Sequence, residues 1–163
     1  MPSVDAQTLV TLQPYITLGE KMGLLAAQLI DSQVAEVRTT YAGEVTTHDT
    51  APVTLAILKG ILEPMVGENV NYVNAALLAA ERGMRLVEAK ASRVEEFADL
   101  VALEVRSDGR RLEIHGTLSS RREPRIVKID RYAVDVVPTG YLLVIRNHDR
   151  PGLIGHLGTL LGR

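Results

Sequence analysis

The protein has 163 residues, of which 46% are hydrophobic and 23% are charged. This length and balance suit one compact folded domain, or one domain with part of a second. The net charge of −2, without a long basic stripe, argues against a nucleic-acid-binding surface.

Three helical segments and one strand are predicted in the first half of the chain. Apolar residues recur at helical spacing over residues 14–31, and Pro14 suits a first helical turn, where its missing N–H costs no hydrogen bond. The β-branched stretch 34–46 predicts a strand. A second helix is predicted from Asp49 to about Pro64, and a third from Asn71 to Arg82, directly before a glycine.

The hydrophobic pattern then changes to the alternation that is typical of β-strands. Ser107-Asp108-Gly109-Arg110 contains the Asp-Gly pair that favours a tight hairpin. The segments that predict strands are Met84–Ala91, Ala98–Arg106, Arg111–Thr117, Arg125–Ile129 and Ala133–Val137. Helices followed by antiparallel strands predict an α+β fold, in which the helices pack on one face of a mostly antiparallel sheet.

The chain changes character after the short boundary 138–140. Tyr141–Arg146 is strongly apolar and predicts a strand, and the residues from Leu153 onward place their apolar side chains on one face of a helix. A lone strand and helix cannot bury both of their apolar faces. We therefore predict an intact domain over residues 1–138 and a truncated second domain over residues 139–163.

Several segments of the sequence resemble known families. Val144–Gly155, with the loop Asn147-His148-Asp149-Arg150-Pro151-Gly152, resembles the first strand, loop and helix of an ACT domain. That module has a ferredoxin-like βαββαβ arrangement and commonly senses amino acids. The preceding region resembles the intervening domain of the long-form D-3-phosphoglycerate dehydrogenase family. The segments that carry this second resemblance are Pro2–Asp5, Tyr15–Leu29, Asn71–Gly83, Gly116–Leu118 and Glu123–Asp130.

The resemblance implies a regulatory region of a larger enzyme. Members of that family oxidise 3-phosphoglycerate with NAD, as the first step of L-serine biosynthesis, and hold their substrate-binding and Rossmann domains upstream of the intervening domain. This chain would then supply oligomer contacts and effector binding, with no catalytic residue and no cofactor of its own. Gly152, Gly155 and Gly158 fall inside a predicted helix and do not form a dinucleotide fingerprint.

Two alternatives stay open at this point. The chain would also suit the β part of an L-serine dehydratase, whose similar domain can precede an ACT module. It would equally suit a stand-alone metabolite-binding module.

A cluster of cations in and around the predicted strand Arg125–Ile129 suggests an anion site. Guanidinium groups match phosphate and carboxylate oxygens in a bidentate way, and the hydroxyls of Ser119 and Ser120 could add donors. The cations are Arg121, Arg122, Arg125, Lys128 and Arg131. The family resemblance implies an allosteric site for phosphate or a phosphoglycerate-like anion, with one cation at Arg125, although a second family cation falls on Val137. The alternative is a set of solvated charges on sheet edges.

Asn147 and Asp149 form a second candidate site. The ACT resemblance implies that polar side chains at these positions hold an amino-acid effector, typically L-serine, in a pocket completed by residues beyond this chain. A carboxylate suits an α-ammonium group, and the N–H groups at a helix start suit a carboxylate. Asp149 as a helix cap and Asn147 as a turn residue would explain the same pattern.

Other chemistry finds little support in the sequence. The four histidines are scattered, no Gly-x-Ser-x-Gly pattern surrounds a serine, and the absence of cysteine excludes disulfides and iron–sulfur clusters. No apolar run reaches the ~18 residues that suggest a membrane span, and the N-terminus does not resemble a signal peptide. We therefore expect a cytoplasmic protein that binds small-molecule effectors and neither metal, membrane nor nucleic acid.

Overall fold

A computed structural model describes residues 6–92, 97–148 and 150–162. Within these residues the helices are α1 (Ala6–Leu29), α2 (Ala51–Val66), α3 (Ala75–Glu81) and α4 (Leu153–Leu161). The strands are β1 (Val34–Gly43), β2 (Arg85–Ala91), β3 (Asp99–Ser107), β4 (Arg110–Leu118), β5 (Pro124–Ile129) and β6 (Tyr132–Val136). Short 3-10 turns lie at Glu44–Thr47 and Gly67–Asn69.

The six strands form one sheet in the order β2-β1-β3-β4-β5-β6. The β1–β2 pair is parallel, and the segment between these strands carries α2 and α3, as a parallel crossover requires. All other neighbouring pairs are antiparallel, and the β3–β4 hairpin turns at the Asp-Gly pair. The predicted α+β fold with a mostly antiparallel sheet is confirmed.

Two predicted helix boundaries were wrong, and both errors concern proline. Helix α1 begins at Ala6, so Pro14 lies inside it, and α2 continues past Pro64 to Val66. Proline removes one backbone donor from a helix but does not prevent the chain from continuing when packing outweighs that loss. Leu12, which precedes Pro14, is fully buried in the core, and this packing extends α1 toward the N-terminus.

Two further predictions differ from the structure near turns and ends. Helix α3 begins at Ala75 rather than at Asn71; residues 72–74 form a turn, in which the Asn71 side chain accepts hydrogen bonds from the N–H groups of Val73 and Asn74. Residues 141–146 were predicted as a strand, but they pair with no other strand among the described residues. A strand needs a hydrogen-bonded neighbour, so an apolar sequence pattern alone does not produce one. The predicted helix from Leu153 is confirmed as α4.

Helices α1 and α2 cover one face of the sheet and build the hydrophobic core with it. Where they cross, each helix places a glycine against the backbone of the other helix. A Cβ atom added to Gly23 would lie 2.1 Å from the carbonyl oxygen of Ile57, and one added to Gly60 would lie 2.2 Å from that of Glu20. The backbones of the two helices can therefore approach this closely only because neither glycine has a side chain.

A chain of hydrogen bonds joins α2 to the parallel pair of strands and runs from the exposed Glu88 to the buried Tyr41. The Thr54 hydroxyl donates to a Glu88 carboxylate oxygen at 2.5 Å, and Thr50 donates to the other oxygen at 2.6 Å. Because Thr54 has only one hydroxyl hydrogen, its 2.7 Å contact with the fully buried Tyr41 must be donated by the tyrosine. Burial raises the pKa of the Tyr41 hydroxyl, which therefore stays protonated as a donor.

The opposite face of the sheet, which we call the open face, carries charged and polar side chains. Across β1 and β3, Arg38 lies opposite Glu104 and Glu36 lies opposite Arg106. The side chains of Glu36 and Glu104 are only 13% and 12% exposed, whereas their arginine partners are more accessible to solvent. This face continues onto β4, β5 and β6, where the candidate site lies. Among the described helices, none is long and apolar enough to cross a membrane.

Candidate anion-binding cleft

A cleft of about 620 Å³ lies on the open face, over the hairpins formed by β4, β5 and β6. It combines three cations, one imidazole and one carboxylate with apolar side chains. The lining residues are Phe97, His115, Thr117, Leu118, Ser119, Arg125, Val127, Lys128, Arg131, Ala133, Val134 and Asp135. Of the five cations that the sequence pointed to, the structure brings Arg125, Lys128 and Arg131 together here.

A β-bulge in the β4–β5 ladder places two of these cations on the same face. Ile126 pairs with Gly116, which faces α1, whereas Lys128 pairs with His115 on the open face. Strict alternation would have placed Lys128 with Ile126, toward the helices. The register shift between these pairs inserts one extra residue, Val127, and so turns the lysine to the open face beside Arg125.

Arg125 and Asp135 form a two-pronged ion pair across β5 and β6. The Arg125 Nε lies 3.0 Å from Asp135 Oδ1, and its Nη2 donates to Oδ2 at 3.1 Å. This parallel arrangement is the geometry in which a guanidinium also binds phosphate or a free carboxylate. The Arg125 side chain is 32% exposed and that of Asp135 is 67% exposed, so the pair is open to solvent.

Glu113 lies beside the cleft and connects two of its polar groups, His115 and Lys128. One of its carboxylate oxygens accepts from His115 Nε2 at 2.6 Å and from Lys128 Nζ at 3.0 Å. Partial burial alone would raise the pKa of Glu113, but these two hydrogen bonds outweigh it and the pKa lies below its usual value. Burial lowers the pKa of His115 despite the neighbouring carboxylate, so this imidazole is neutral near pH 7.

Arg131 differs from the other two cations in its partners. Its guanidinium donates to the Tyr132 hydroxyl at 2.7 Å and lies 5.0 Å from the centre of the same ring. Among the described residues it forms no ion pair. Its charge is therefore less compensated than that of Arg125 or Lys128.

The turn between β4 and β5 directs the remaining predicted residues elsewhere. The Ser119 hydroxyl lines the cleft, but it accepts from the N–H groups of Arg121 and Glu123 and holds the turn. Arg121 and Ser120 are exposed on this turn and do not line the cleft. The prediction grouped all of these side chains in one site; the turn separates them.

Arg122 folds back onto α1 and leaves the cleft. It takes the left-handed conformation, with φ of 60°, and its Nη2 donates to the carbonyl of Thr11 at 2.6 Å. The guanidinium also lies 5.8 Å from the centre of the Tyr15 ring. These contacts make Arg122 a structural tie between the sheet and α1 rather than a member of the cluster.

Comparison with known proteins decides the family. Residues 11–130 match the family model of the D-3-phosphoglycerate dehydrogenase intervening domain. The chain belongs to this family. Three relatives named D-3-phosphoglycerate dehydrogenase come from Archaeoglobus fulgidus, Methanocaldococcus jannaschii and Bacillus subtilis; they are 37%, 33% and 31% identical and match 100%, 99% and 99% of the chain.

The chain spans about 31% of the length of these relatives. The family match ends at residue 130 and so includes Arg125 and Lys128, whereas Asp135 and β6 lie beyond it. The position that the resemblance assigned to a second family cation is Val137, which is 40% exposed directly after β6. The positive charge of the cleft therefore comes from Arg125, Lys128 and Arg131.

The second candidate site lies near the same hairpin. The segment 144–148 borders a further cleft of about 620 Å³ together with the β5–β6 turn, and Asn147 is one of its lining residues. Arg146 donates to the Asp130 carboxylate at 3.1 Å, which ties this segment to the turn. Asp149, the other predicted effector ligand, lies outside the described residues.

Sequence reasoning missed two residues of the cleft, His115 and Asp135, and the neighbouring Glu113. The alternation along β4 could have placed His115 and Glu113 on the open face, since both flank the buried Ile114. Only the β5–β6 pairing could have identified Asp135 as the partner of Arg125. Among the described residues, no group of three histidine or carboxylate side chains is arranged to hold a metal ion.

Proposed function

We propose that this chain is a regulatory region of a D-3-phosphoglycerate dehydrogenase and that its cleft binds a phosphate-class anion. The observation that carries this proposal is the convergence of Arg125, Lys128 and Arg131 on one open face. A guanidinium fork binds two anion oxygens at once, and a lysine adds a mobile charge to the same ligand. Inorganic phosphate and 3-phosphoglycerate both present suitable oxygens.

The family supports the wider part of the proposal. Relatives that match the whole chain are named D-3-phosphoglycerate dehydrogenase, which favours this parent over the β part of an L-serine dehydratase. In the whole protein, other regions would oxidise 3-phosphoglycerate with NAD in L-serine biosynthesis. Anion binding here would then act on the distant active site by shifting a shared conformational equilibrium.

The anion proposal is tested by titration calorimetry with inorganic phosphate and with 3-phosphoglycerate. We expect both to bind, and we expect Arg125→Ala to weaken binding at least about tenfold, since charge-assisted bidentate contacts contribute roughly 1.5–3 kcal/mol. Arg122→Ala is the matched control, because it removes a guanidinium three residues away that does not line the cleft. Equal affinities for the wild type and Arg125→Ala would contradict the proposal.

A second part of the proposal concerns L-serine and self-association. We infer that Asn147 and Asp149 contribute to an L-serine site in the intact regulatory region, and that the chain forms a homo-oligomer. Support comes from the position of Asn147 beside a cleft and from the exposed apolar side chains of α4, such as Ile154 and Leu160. Thermal-shift measurements with L-serine and D-serine on the wild type and Asn147→Ala test the first point.

Light scattering coupled to size exclusion tests the second point. We expect a mass of at least twice that of the 17.8 kDa chain. A monomer at every concentration up to the solubility limit would contradict self-association of this chain.

A further inference from the structure

Asp135 occupies the position in the cleft where a ligand anion would bind. Its two carboxylate oxygens meet the Nε and Nη2 atoms of Arg125 at 3.0 and 3.1 Å. An incoming phosphate would use the same two donors, because they form the bidentate fork of the guanidinium. The ion pair and a bound anion therefore cannot share the fork.

Glu113, the carboxylate beside the cleft, is held by more hydrogen bonds than Asp135. The Glu113 side chain is 25% exposed and accepts hydrogen bonds from His115, Lys128 and Arg111. Asp135 is 67% exposed, lies on edge strand β6, and has Arg125 as its one ion-pair or hydrogen-bond partner for its side chain among the described residues. Displacement of Asp135 into solvent therefore breaks a single exposed pair, whereas displacement of Glu113 would break a network.

We propose that Asp135 is an internal competitor for the anion and that it lowers the affinity of the cleft for every anion, so that phosphate-class dianions still bind and simple carboxylates do not; this inference rests on the proposed anion site. A free carboxylate offers Arg125 the same two oxygens and the same single charge as Asp135. Because Asp135 is tethered to the neighbouring strand, its effective concentration is in the millimolar range or above. A free carboxylate at a lower concentration therefore does not displace Asp135 from Arg125.

A phosphate dianion has an advantage that a carboxylate lacks. It carries a second negative charge and a third oxygen, so it can occupy the Arg125 fork and still attract Lys128 or Arg131 on the same face. Exposed ion pairs are weak, and the pair with Asp135 opposes the dianion only modestly. Asp135 therefore prevents simple carboxylates from binding to Arg125, whereas phosphate can still bind.

The test compares Asp135→Asn with the wild type by calorimetry at constant ionic strength, with inorganic phosphate and acetate as probes. Asparagine has nearly the same shape but lacks the charge that competes for the fork. We expect phosphate and acetate each to bind about fivefold more tightly to the variant, because both ligands must displace the same ion pair in the wild type. Asp135→Ala should shift both affinities in the same direction.

Asp108→Asn is the matched control for net charge. Asp108 is exposed in the β3–β4 turn, which lies at the start of β4, whereas the cleft residue Thr117 lies near the end of that strand. Its substitution removes the same single negative charge. We expect its affinities to equal those of the wild type. If Asp108→Asn tightens phosphate binding as much as Asp135→Asn does, long-range charge explains the effect and the inference is overturned.

The outcomes separate this inference from the proposed function. Phosphate binding that is lost in Arg125→Ala but unchanged or weakened in Asp135→Asn retains the anion site and overturns internal competition. An absence of phosphate binding to the wild type and to Asp135→Asn alike overturns both. Circular dichroism spectra that superimpose for all variants establish that the comparison concerns binding rather than folding.

Discussion

The glycine contact between α1 and α2 allows a sharp test of the packing. In Gly60→Ala the new Cβ atom would lie 2.2 Å from the Glu20 carbonyl oxygen and 2.7 Å from the Leu24 nitrogen. Both neighbours are backbone atoms, so no side chain can rotate away. The helices must separate by about 1.2 Å to restore an ordinary contact, which loosens the core on both sides.

Two opposing effects set the magnitude of this change. Alanine is favoured over glycine inside a helix by about 1 kcal/mol, whereas forced overpacking of a tight core costs typically 1–3 kcal/mol and occasionally more. Because the clash at Gly60 is with backbone, we place its cost at the upper end and expect a net loss of about 2 kcal/mol. For a protein of this size the melting temperature should fall by about 6 °C.

Urea denaturation followed by circular dichroism measures the free energy of unfolding directly. Gly155→Ala is the matched control, because it makes the same exchange inside α4, where nothing lies within 4 Å of the new Cβ atom. We expect that control to be neutral or slightly stabilising. A Gly60→Ala variant as stable as the wild type would refute the close-crossing argument.

Two further predictions concern buried polar groups. Burial lowers the pKa of His115 below its usual 6.5, so the unfolded chain binds a proton before the folded one does, and this residue reduces stability as the pH falls below about 6.5. In His115→Gln the free energy of unfolding should therefore fall less steeply between roughly pH 6.5 and 5 than in the wild type, as measured by urea unfolding at each pH. An equally steep fall in the variant would refute this prediction. Tyr41→Phe should cost about 1 kcal/mol, since Thr54 keeps its bond to Glu88, whereas Thr54→Val should cost about 2 kcal/mol because it removes the acceptor of the buried Tyr41 hydroxyl, while the exposed Glu88 carboxylate can bind water instead. The reverse order of these two costs in equilibrium unfolding would contradict the direction of donation.

Much of the fold follows from local patterns. The alternation along β3 and β4 and the Asp-Gly pair between them predicted a hairpin that the structure contains. The amphipathic stretches predicted α1 and α2, but Pro14 and Pro64 were wrongly taken as boundaries, because a local rule about proline does not include the packing that carries a helix through it.

The candidate site was predictable only in outline. The density of arginine and lysine around Arg125 indicated an anion site, and the family resemblance agreed with it. The division of that cluster was not predictable, since Arg122 is drawn away by Thr11 and Tyr15 on a helix more than 100 residues distant in sequence.

The sequence by itself determined the alternating strands, the helical faces, the tight β3–β4 turn and the family. Only the tertiary structure decided that a bulge turns Lys128 toward the open face and that Asp135 lies in the fork of Arg125. The physical reason is the range of the interactions. Periodicity and turn chemistry act over a few residues, whereas strand register and ion pairing depend on segments that meet only after the chain has folded.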